Sequence, residues 1–299
     1  MGLTITVARP ATAAAPDRVR RGSVAPLKPL DIHLLGRVEL SVGGREIRLA
    51  ARGAQALLAV LALKPRVRTR EAVATEIWPD CNGSGTSASL RQALWLVRSS
   101  FAAAAIPLDR YLTIDAEVIG FQPCAPIDLD VTRFEAALRG PTGSPEEAVS
   151  LYAGDLVECL GLECFAVERE RLSDAYEDAL ALVAERRLQA GDSNGARDAA
   201  ERLLARDPLR EEAHATLLGV YGRIGSRAQV LRQYRRLSRL LRGELGVEPL
   251  PETEAAFRTA MIEAVERSRL RAAAAAYAND RPIARNARRG GLILTAASR

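Results

Sequence analysis

Histidine, lysine and aromatic residues are scarce in this chain of 299 residues. The two histidines, His33 and His214, lie far in sequence from the four cysteines, Cys81, Cys124, Cys159 and Cys164. The cysteines have no paired metal-type spacing, so a zinc module is excluded and no metal site is expected. Four scattered thiols point to a reduced, cytoplasmic setting. Aromatics make up 4%, too few for the stacking platforms that read RNA or single strands. No apolar run reaches membrane-spanning length, and the N-terminus lacks the apolar core of a signal peptide. Gly83-Ser84-Gly85 is too short to cradle a phosphate, and no Walker-type glycine-lysine loop occurs. No nucleophile, base and orienting group stand together, so no enzymatic activity and no cofactor are expected.

Arginine is abundant instead. All but two of the 42 Lys and Arg residues are arginine, the exceptions being Lys28 and Lys64, and the net charge is +5. That balance permits a polyanionic partner without demanding one. Arginine suits bidentate contacts to guanine and phosphate, although a GC-rich genome would produce the same bias. Hydrophobic residues make up 48%, enough for one large or two ordinary domains.

Residues 1–28 are rich in Ala, Pro and Arg without periodicity and read as a disordered extension, with a basic cluster at Arg18, Arg20 and Arg21. From Leu30 the pattern predicts three short strands, 31–36, 38–42 and 46–49, the last two joined at Gly43-Gly44. Ala54 to Leu63 is apolar nearly all round and predicts a buried helix that Pro65 ends. Thr69 is an N-cap candidate for a helix over 70–78. After the loop 80–85 comes SGTSASLRQALWLVRSSF, residues 84–101. Here Leu90, Leu94, Val97 and Phe101 share one helical face and Ser87, Arg91, Trp95 and Arg98 another. Two strands, 111–114 and 118–121, then form a hairpin. Sheet, buried helix, short helix, basic helix and hairpin in this order predict an α+β winged helix over 29–125, of the kind found as response-regulator output domains.

Beyond Pro126 the pattern is helical to about residue 267. It predicts helices over 128–138, 145–153 and 164–190, with Asp128 and Asp130 read as a helix cap. Gly191 and Gly225 are separated by the period of a tetratricopeptide repeat. In that register Leu180, Val183, Ala184, Ala196, Ala200, Leu203 and Pro208 match His214, Leu217, Leu218, Tyr221, Val230, Tyr234 and Leu237 as pattern positions of successive units. Helix pairs of this kind stack into an all-α, tetratricopeptide-like domain, here 126–267, with a concave surface suited to a protein or peptide or a buried dimer interface. The remainder, 268–299, reads as a fraying helix end and a disordered Arg/Ala-rich tail holding Arg281, Arg285, Arg288 and Arg289.

Two blocks carry a family resemblance. Leu57-Leu58-Ala59, Ile77-Trp78-Pro79-Asp80 and Leu90-Arg91-Gln92-Ala93-Leu94 resemble the DNA-binding domain of the Streptomyces antibiotic regulatory proteins. Leu151-Tyr152-Ala153-Gly154-Asp155, Asp207-Pro208-Leu209-Arg210-Glu211-Glu212-Ala213-His214, Arg227-Ala228-Gln229, Tyr234 and Glu244-Leu245-Gly246-Val247-Glu248-Pro249 resemble the bacterial transcriptional activator domain that follows it there. The resemblance spans about 30–266. It implies a transcriptional activator, with double-stranded DNA and RNA polymerase holoenzyme as partners. Such a protein binds direct repeats near a promoter, head to tail and as a homodimer on DNA, in control of a secondary-metabolite or other pathway gene cluster.

On this reading Ser87 to Arg98 enters the major groove, Arg91 takes guanine and Arg98 meets a phosphate. Ser84, Thr86 and Ser87 bond backbone oxygens at the helix start. Gln92 either reads adenine or faces a neighbouring helix. Trp95 either touches a thymine methyl or sugar edge, or packs on the wing. Arg110 enters the wing near the flanking groove. Arg66, Arg68 and Arg70 are phosphate contacts or a solvated basic loop. Two other classes fit the composition: a repeat-type protein adaptor, and a regulator gated by a small molecule in its helical domain.

Overall fold

The computed structural model describes residues 27–80, 83–140 and 143–279. The extension to residue 26 with Arg18, Arg20 and Arg21, residue Cys81, and the end of the tail with Arg281, Arg285, Arg288 and Arg289 lie outside the described residues.

The chain opens with β1 (Leu30–His33), β2 (Glu39–Val42) and β3 (Arg45–Glu46), all antiparallel. Gly43 and Gly44 make the tight turn with φ of 56° and 82°, a conformation that glycine adopts without steric cost. The third strand stops short of the expected Leu49, yet Ile47 and Leu49 stay buried. α1 (Arg52–Leu63) is buried along almost its whole length, as its apolar circumference requires. α2 (Arg70–Ile77) is capped by Thr69, whose hydroxyl accepts the Ala72 N–H at 3.3 Å. α3 (Gly83–Ala103) follows.

The hairpin is a three-stranded sheet. β4 (Arg68–Thr69), β5 (Leu112–Ile114) and β6 (Val118–Phe121) lie in the order β4-β6-β5. β4 was not expected, because two residues leave no periodic signal.

The sequence reading starts a helix at Asp128. The structure instead runs β7 (Ile127–Leu129) parallel to β1, with Leu30 opposite Ile127 and Ile32 opposite Leu129. The first sheet therefore has the order β3-β2-β1-β7, and the first strand of the helical half completes the sheet of the winged helix. The helix begins only at Asp130, as α4 (Asp130–Leu138), followed by α5 (Pro145–Leu151). Ser144 caps α5 through the Glu147 N–H, with proline in the first turn.

Asp130 is not a simple cap. It is 3% exposed, and its Oδ2 accepts the N–H groups of both Leu34 and Leu35 at 2.8 Å while Oδ1 accepts that of Val131 at 2.7 Å. Burial raises its carboxyl above the ordinary value, against the pull of those three N–H groups. Around it, the Val157 N–H donates to Leu34 O at 2.8 Å and the Gly36 N–H to Asp155 O at 3.0 Å. Arg52 reaches across to Leu160 O. One apolar core runs through this seam, from Leu30 and Leu57 to Leu172 and Leu203.

The rest is a stack of antiparallel helices: α6 (Ala166–Gln189) with α7 (Ser193–Arg206), then α8 (Glu211–Ile224) with α9 (Arg227–Glu244), and α10 (Pro251–Asn279) laid on α8. Gly191 and Gly225 both take positive φ, 86° and 78°, ending the first helix of each pair where an L-residue would be strained. Leu180, Val183, Ala184, Ala196, Ala200 and Leu203 are buried, as are His214, Leu217, Leu218, Val230 and Leu237. Tyr221 and Tyr234 are half-buried. Pro208 is exposed at its corner. α10 continues to Asn279, past the expected fraying point near residue 268. Among the described residues no helix is long and apolar enough to cross a membrane, and no three His, Cys, Asp or Glu residues gather into a metal site.

The corners between helices are tied by charge. Tyr152 stacks on Tyr176 with ring centres 4.1 Å apart, and Arg206 lies over both rings while binding Asp155 at 2.7 Å. Burial opposes ionisation of Asp155, but the hydrogen bonds of Arg206 and Tyr152 hold its carboxyl below the usual range. Arg210 pairs with Asp178 at 2.6 Å. His214 is 1% exposed; its Nε2 donates to Pro208 O at 3.1 Å, and its Nδ1 accepts from the Gln233 amide at 2.8 Å. That arrangement needs a neutral ring, and burial lowers the pKa accordingly.

Removing the seam acceptor leaves three N–H groups without it. Asp130→Ala is expected to lower stability by about 3 kcal/mol, read as a fall in the urea midpoint. His214 stays neutral in the fold while the unfolded ring titrates at its ordinary 6.5. Stability is then flat above pH 7 and falls as pH drops through about 6.5. His214→Phe should lose that acid-side slope in melts taken across the range.

Candidate nucleic-acid interface

α3 is 21 residues long, about 30 Å at 1.5 Å per residue. Leu90, Leu94, Val97 and Phe101 face the core at 0–2% exposure. The periodicity therefore anchors the helix by one face and turns Ser87, Arg91, Trp95 and Arg98 outward, all exposed. The helix contains no acidic residue, so nothing on it neutralises Arg91 and Arg98. These two stand about 10 Å apart along the axis.

Beside its N-terminal half lies an open hollow of about 780 Å³ bordered by Arg70, Glu71, Ser87, Arg91 and Glu117. The wing tip forms its far wall. Asp115 accepts the N–H groups of Glu117 and Val118 at 2.9 and 2.7 Å, and these bonds hold its carboxyl below the ordinary range. The tip is clamped to the start of α2: the Arg70 N–H donates to Glu117 O at 2.9 Å, and the Arg70 guanidinium to Asp115 O at 2.9 Å. The wing tip thus presents two carboxylates and no cation of its own. Sequence reasoning did not give weight to this.

Other candidates fall elsewhere. Arg68 is neither a free phosphate contact nor part of a solvated loop. It binds Glu76 at 2.6 Å, and Lys64 binds the same carboxylate at 2.7 Å. Burial works against the charge of Glu76, but the two cations hold its pKa down. Thr86 is buried at 7%, so it does not stand with the outward hydroxyls, and both Thr86 and Ser87 have interactions within the protein. The side chain of Ser84 lies outside the described residues. Gln92 is exposed but lines the opposite flank with Ala51, Gly53 and Trp78, which favours the neighbouring-helix alternative. Arg110 is half-buried in a short 3-10 turn (Leu108–Arg110) at the base of the hairpin, away from its tip.

Trp95 is 64% exposed. It does not pack on the wing. It lines a separate hollow of about 440 Å³ with Glu46, Arg48, Leu49 and Ser99, on the flank facing the β3–α1 connection. Arg48 and Arg45 were missed by the sequence reading. Arg48 is highly exposed beside Trp95, with its Nε donating to Glu46 at 3.1 Å in a solvent-exposed pair, and Arg45 donates to Ala104 O just past the end of α3 at 2.8 Å. Only the tertiary fold brings β3 to this helix, so no spacing in the sequence signals either residue. Among the cysteines, Cys124 and Cys159 are exposed and Cys164 half-buried, all free thiols.

Residues 129–261 match the family model of the bacterial transcriptional activator domain. Mycobacterium tuberculosis EmbR, in a structure with a low affinity phosphopeptide, superposes with a TM-score of 0.63 at 22% identity. The match covers 85% of this chain and 71% of that one, a likeness of fold in which the winged helix and the helical repeats occur together. No curated protein matches the sequence. Residues 129–261 therefore carry a bacterial transcriptional activator domain, on a chain whose fold is like that of EmbR.

Proposed function

We propose that this regulator is a sequence-specific activator that lays α3 in the major groove of double-stranded DNA. The observation that carries this reading is the acid-free outward face of α3, with Arg91 and Arg98 exposed on a helix anchored by its other side. Arg91 is the base reader, since it borders the hollow between α2, α3 and the wing where base edges would lie. A guanidinium there fits guanine O6 and N7 together. Arg98 meets a phosphate farther along the groove, and Ser87 supports the docking from the helix start. Trp95 lies on the flank, where its ring edge reaches a sugar or a thymine methyl, with Arg48 on the adjacent backbone. Arg70 keeps the wing in place and offers its remaining donors to a phosphate. Arg68, Thr86, Gln92 and Arg110 are left out of the contact set on the grounds of their pairing, burial or position.

The acidic wing tip argues against insertion of the wing into a minor groove, where the negative potential is strong. Reading therefore rests on α3. The helical half serves as the activating part: it recruits RNA polymerase holoenzyme while two copies occupy direct repeats head to tail, in the cytoplasm at the nucleoid.

Genome-wide footprinting of the purified protein at two salt concentrations tests this. Discrete sites with a repeated short element are expected. Arg91→Ala should lose about 1–3 kcal/mol of discrimination at one base position. Uniform weak binding that vanishes with added salt would overturn the helix assignment. Arg98→Ala should instead weaken all sites alike and reduce the slope of log affinity against log salt by about 1, measured by fluorescence anisotropy on a footprinted duplex.

A further inference from the structure

The arginines of the helical domain fall into two groups. One group is tied in ion pairs, among them Arg171 to Glu168 and Glu135, Arg206 to Asp155 and Glu177, Arg210 to Asp178, and Arg242 to Glu248. α9 differs. It holds six arginines and a single acid, Glu244. Arg232, Arg235, Arg236 and Arg239 are exposed on one face, within about 100° of arc at helical spacing. Among the described residues none of these four is in an ion pair; Arg239 Nε is turned onto Arg235 O at 3.2 Å. Arg232 with Arg236 and Arg235 with Arg239 are like-charge neighbours one turn apart, which costs helix stability. The four border a hollow of about 470 Å³ together with Tyr221 from α8 and Gln229.

We propose that this face of α9 docks an acidic protein segment, a short run of glutamate or aspartate side chains gripped by the arginine forks. The planar guanidinium pairs with carboxylates through two parallel bonds. The Gln229 amide offers a partner to the segment's backbone, and the Tyr221 ring offers an apolar wall. The surface is concave and built on helix pairs, the form in which such arrays hold peptides. Its position disfavours DNA as the occupant. α9 packs on α8 and α10, whereas the winged helix joins the array at the other end, through β7 and α4. The arginines also sit mid-helix, where no backbone N–H groups are free to help bind a phosphate.

The test uses the full chain and a fluorescent peptide of alternating glutamate and alanine, read by anisotropy at low salt, with a scrambled short duplex as the second probe. The peptide is expected to bind, to lose affinity about tenfold or more in Arg232→Glu/Arg236→Glu, and to bind Arg91→Ala unchanged. Arg235→Gln/Arg239→Gln removes charge without reversing it and should weaken the peptide by a smaller factor. Circular dichroism melts establish that each variant is folded, and the Gln pair gives the answer if the Glu pair is not. No peptide binding, or equal binding by wild type and both folded variants, overturns the proposal. So does a result in which the α9 variants lose the duplex and keep the peptide, since the stripe is then a DNA backbone surface. Failure of the DNA-reading proposal would appear in the Arg91→Ala footprints instead, so the two are distinguishable.

Discussion

Asp130 sets a constraint on the whole molecule, because a carboxyl group has been carried into an apolar seam and must find donors there. It finds them on two successive backbone N–H groups of another domain, Leu34 and Leu35. Those groups are free to donate because β1 ends at His33 and the chain turns away from the sheet. The arrangement works only if β7 lies beside β1 and α4 starts immediately after it. Register of the parallel pair, start of the helix and path of the chain past Leu35 are thus one solution to one burial problem. The consequence is mechanical. The winged helix and the helical array share a sheet and a core, so a load on the array reaches α1 and α3 through packed side chains, without a flexible linker between.

What could be read from the sequence follows the length of each periodic signal. α1, α3, α6 and the repeat helices are long enough for their apolar positions to recur, and they stand where the pattern places them. β4 and β7 have two and three residues, below any period, and both exist only because a partner strand is supplied from elsewhere in the chain. Asp130 looked like a cap because Asp at a helix start usually is one; its second oxygen and its distant partners leave no local trace. The same holds at the candidate interface. The outward placement of Ser87, Arg91, Trp95 and Arg98 follows from helical arithmetic, but the flank that each one faces does not. Arg68 and Arg70 sit two residues apart in one basic stretch, yet one is paired with Glu76 and the other clamps the wing.

Several of the residues that carry the family resemblance are joints. Tyr152 and Asp155 hold Arg206 and Tyr176 across a helix corner. Arg210 and His214 fix the turn into α8. Glu248 pairs with Arg242, and Glu211 accepts the Leu250 N–H where α10 begins. Such residues determine how helices meet, which explains why they mark the domain and say little about what it binds. Binding falls to exposed positions between the joints. In the winged helix the motif from Leu90 to Leu94 mixes both kinds: Leu90, Ala93 and Leu94 are core, while Arg91 faces outward.

Charge placement sharpens this division. A chain so rich in arginine must either pair its guanidiniums or leave them as unbalanced potential, and in the helical half Arg206 and Arg210 are paired at corners. The pairs add little as isolated surface bridges. The value of those between residues distant in sequence, such as Arg206 with Asp155 and Glu177 and Arg210 with Asp178, lies in geometry, since each fixes one helix against another element. An unpaired guanidinium adds no such constraint and raises the local potential, which self-repulsion penalises. The outer face of α3 and the α9 stripe both accept that penalty, the first on the winged helix and the second on the helical array. The wing tip shows the reverse choice, with Asp115 spent on its own turn and Glu117 left exposed beside Arg91. A carboxylate at that spot narrows the path by which a polyanion can approach. It repels a backbone that comes from the wing side and leaves open the approach along α3 itself, so the wing acts as a fence that fixes the angle at which the helix can be met.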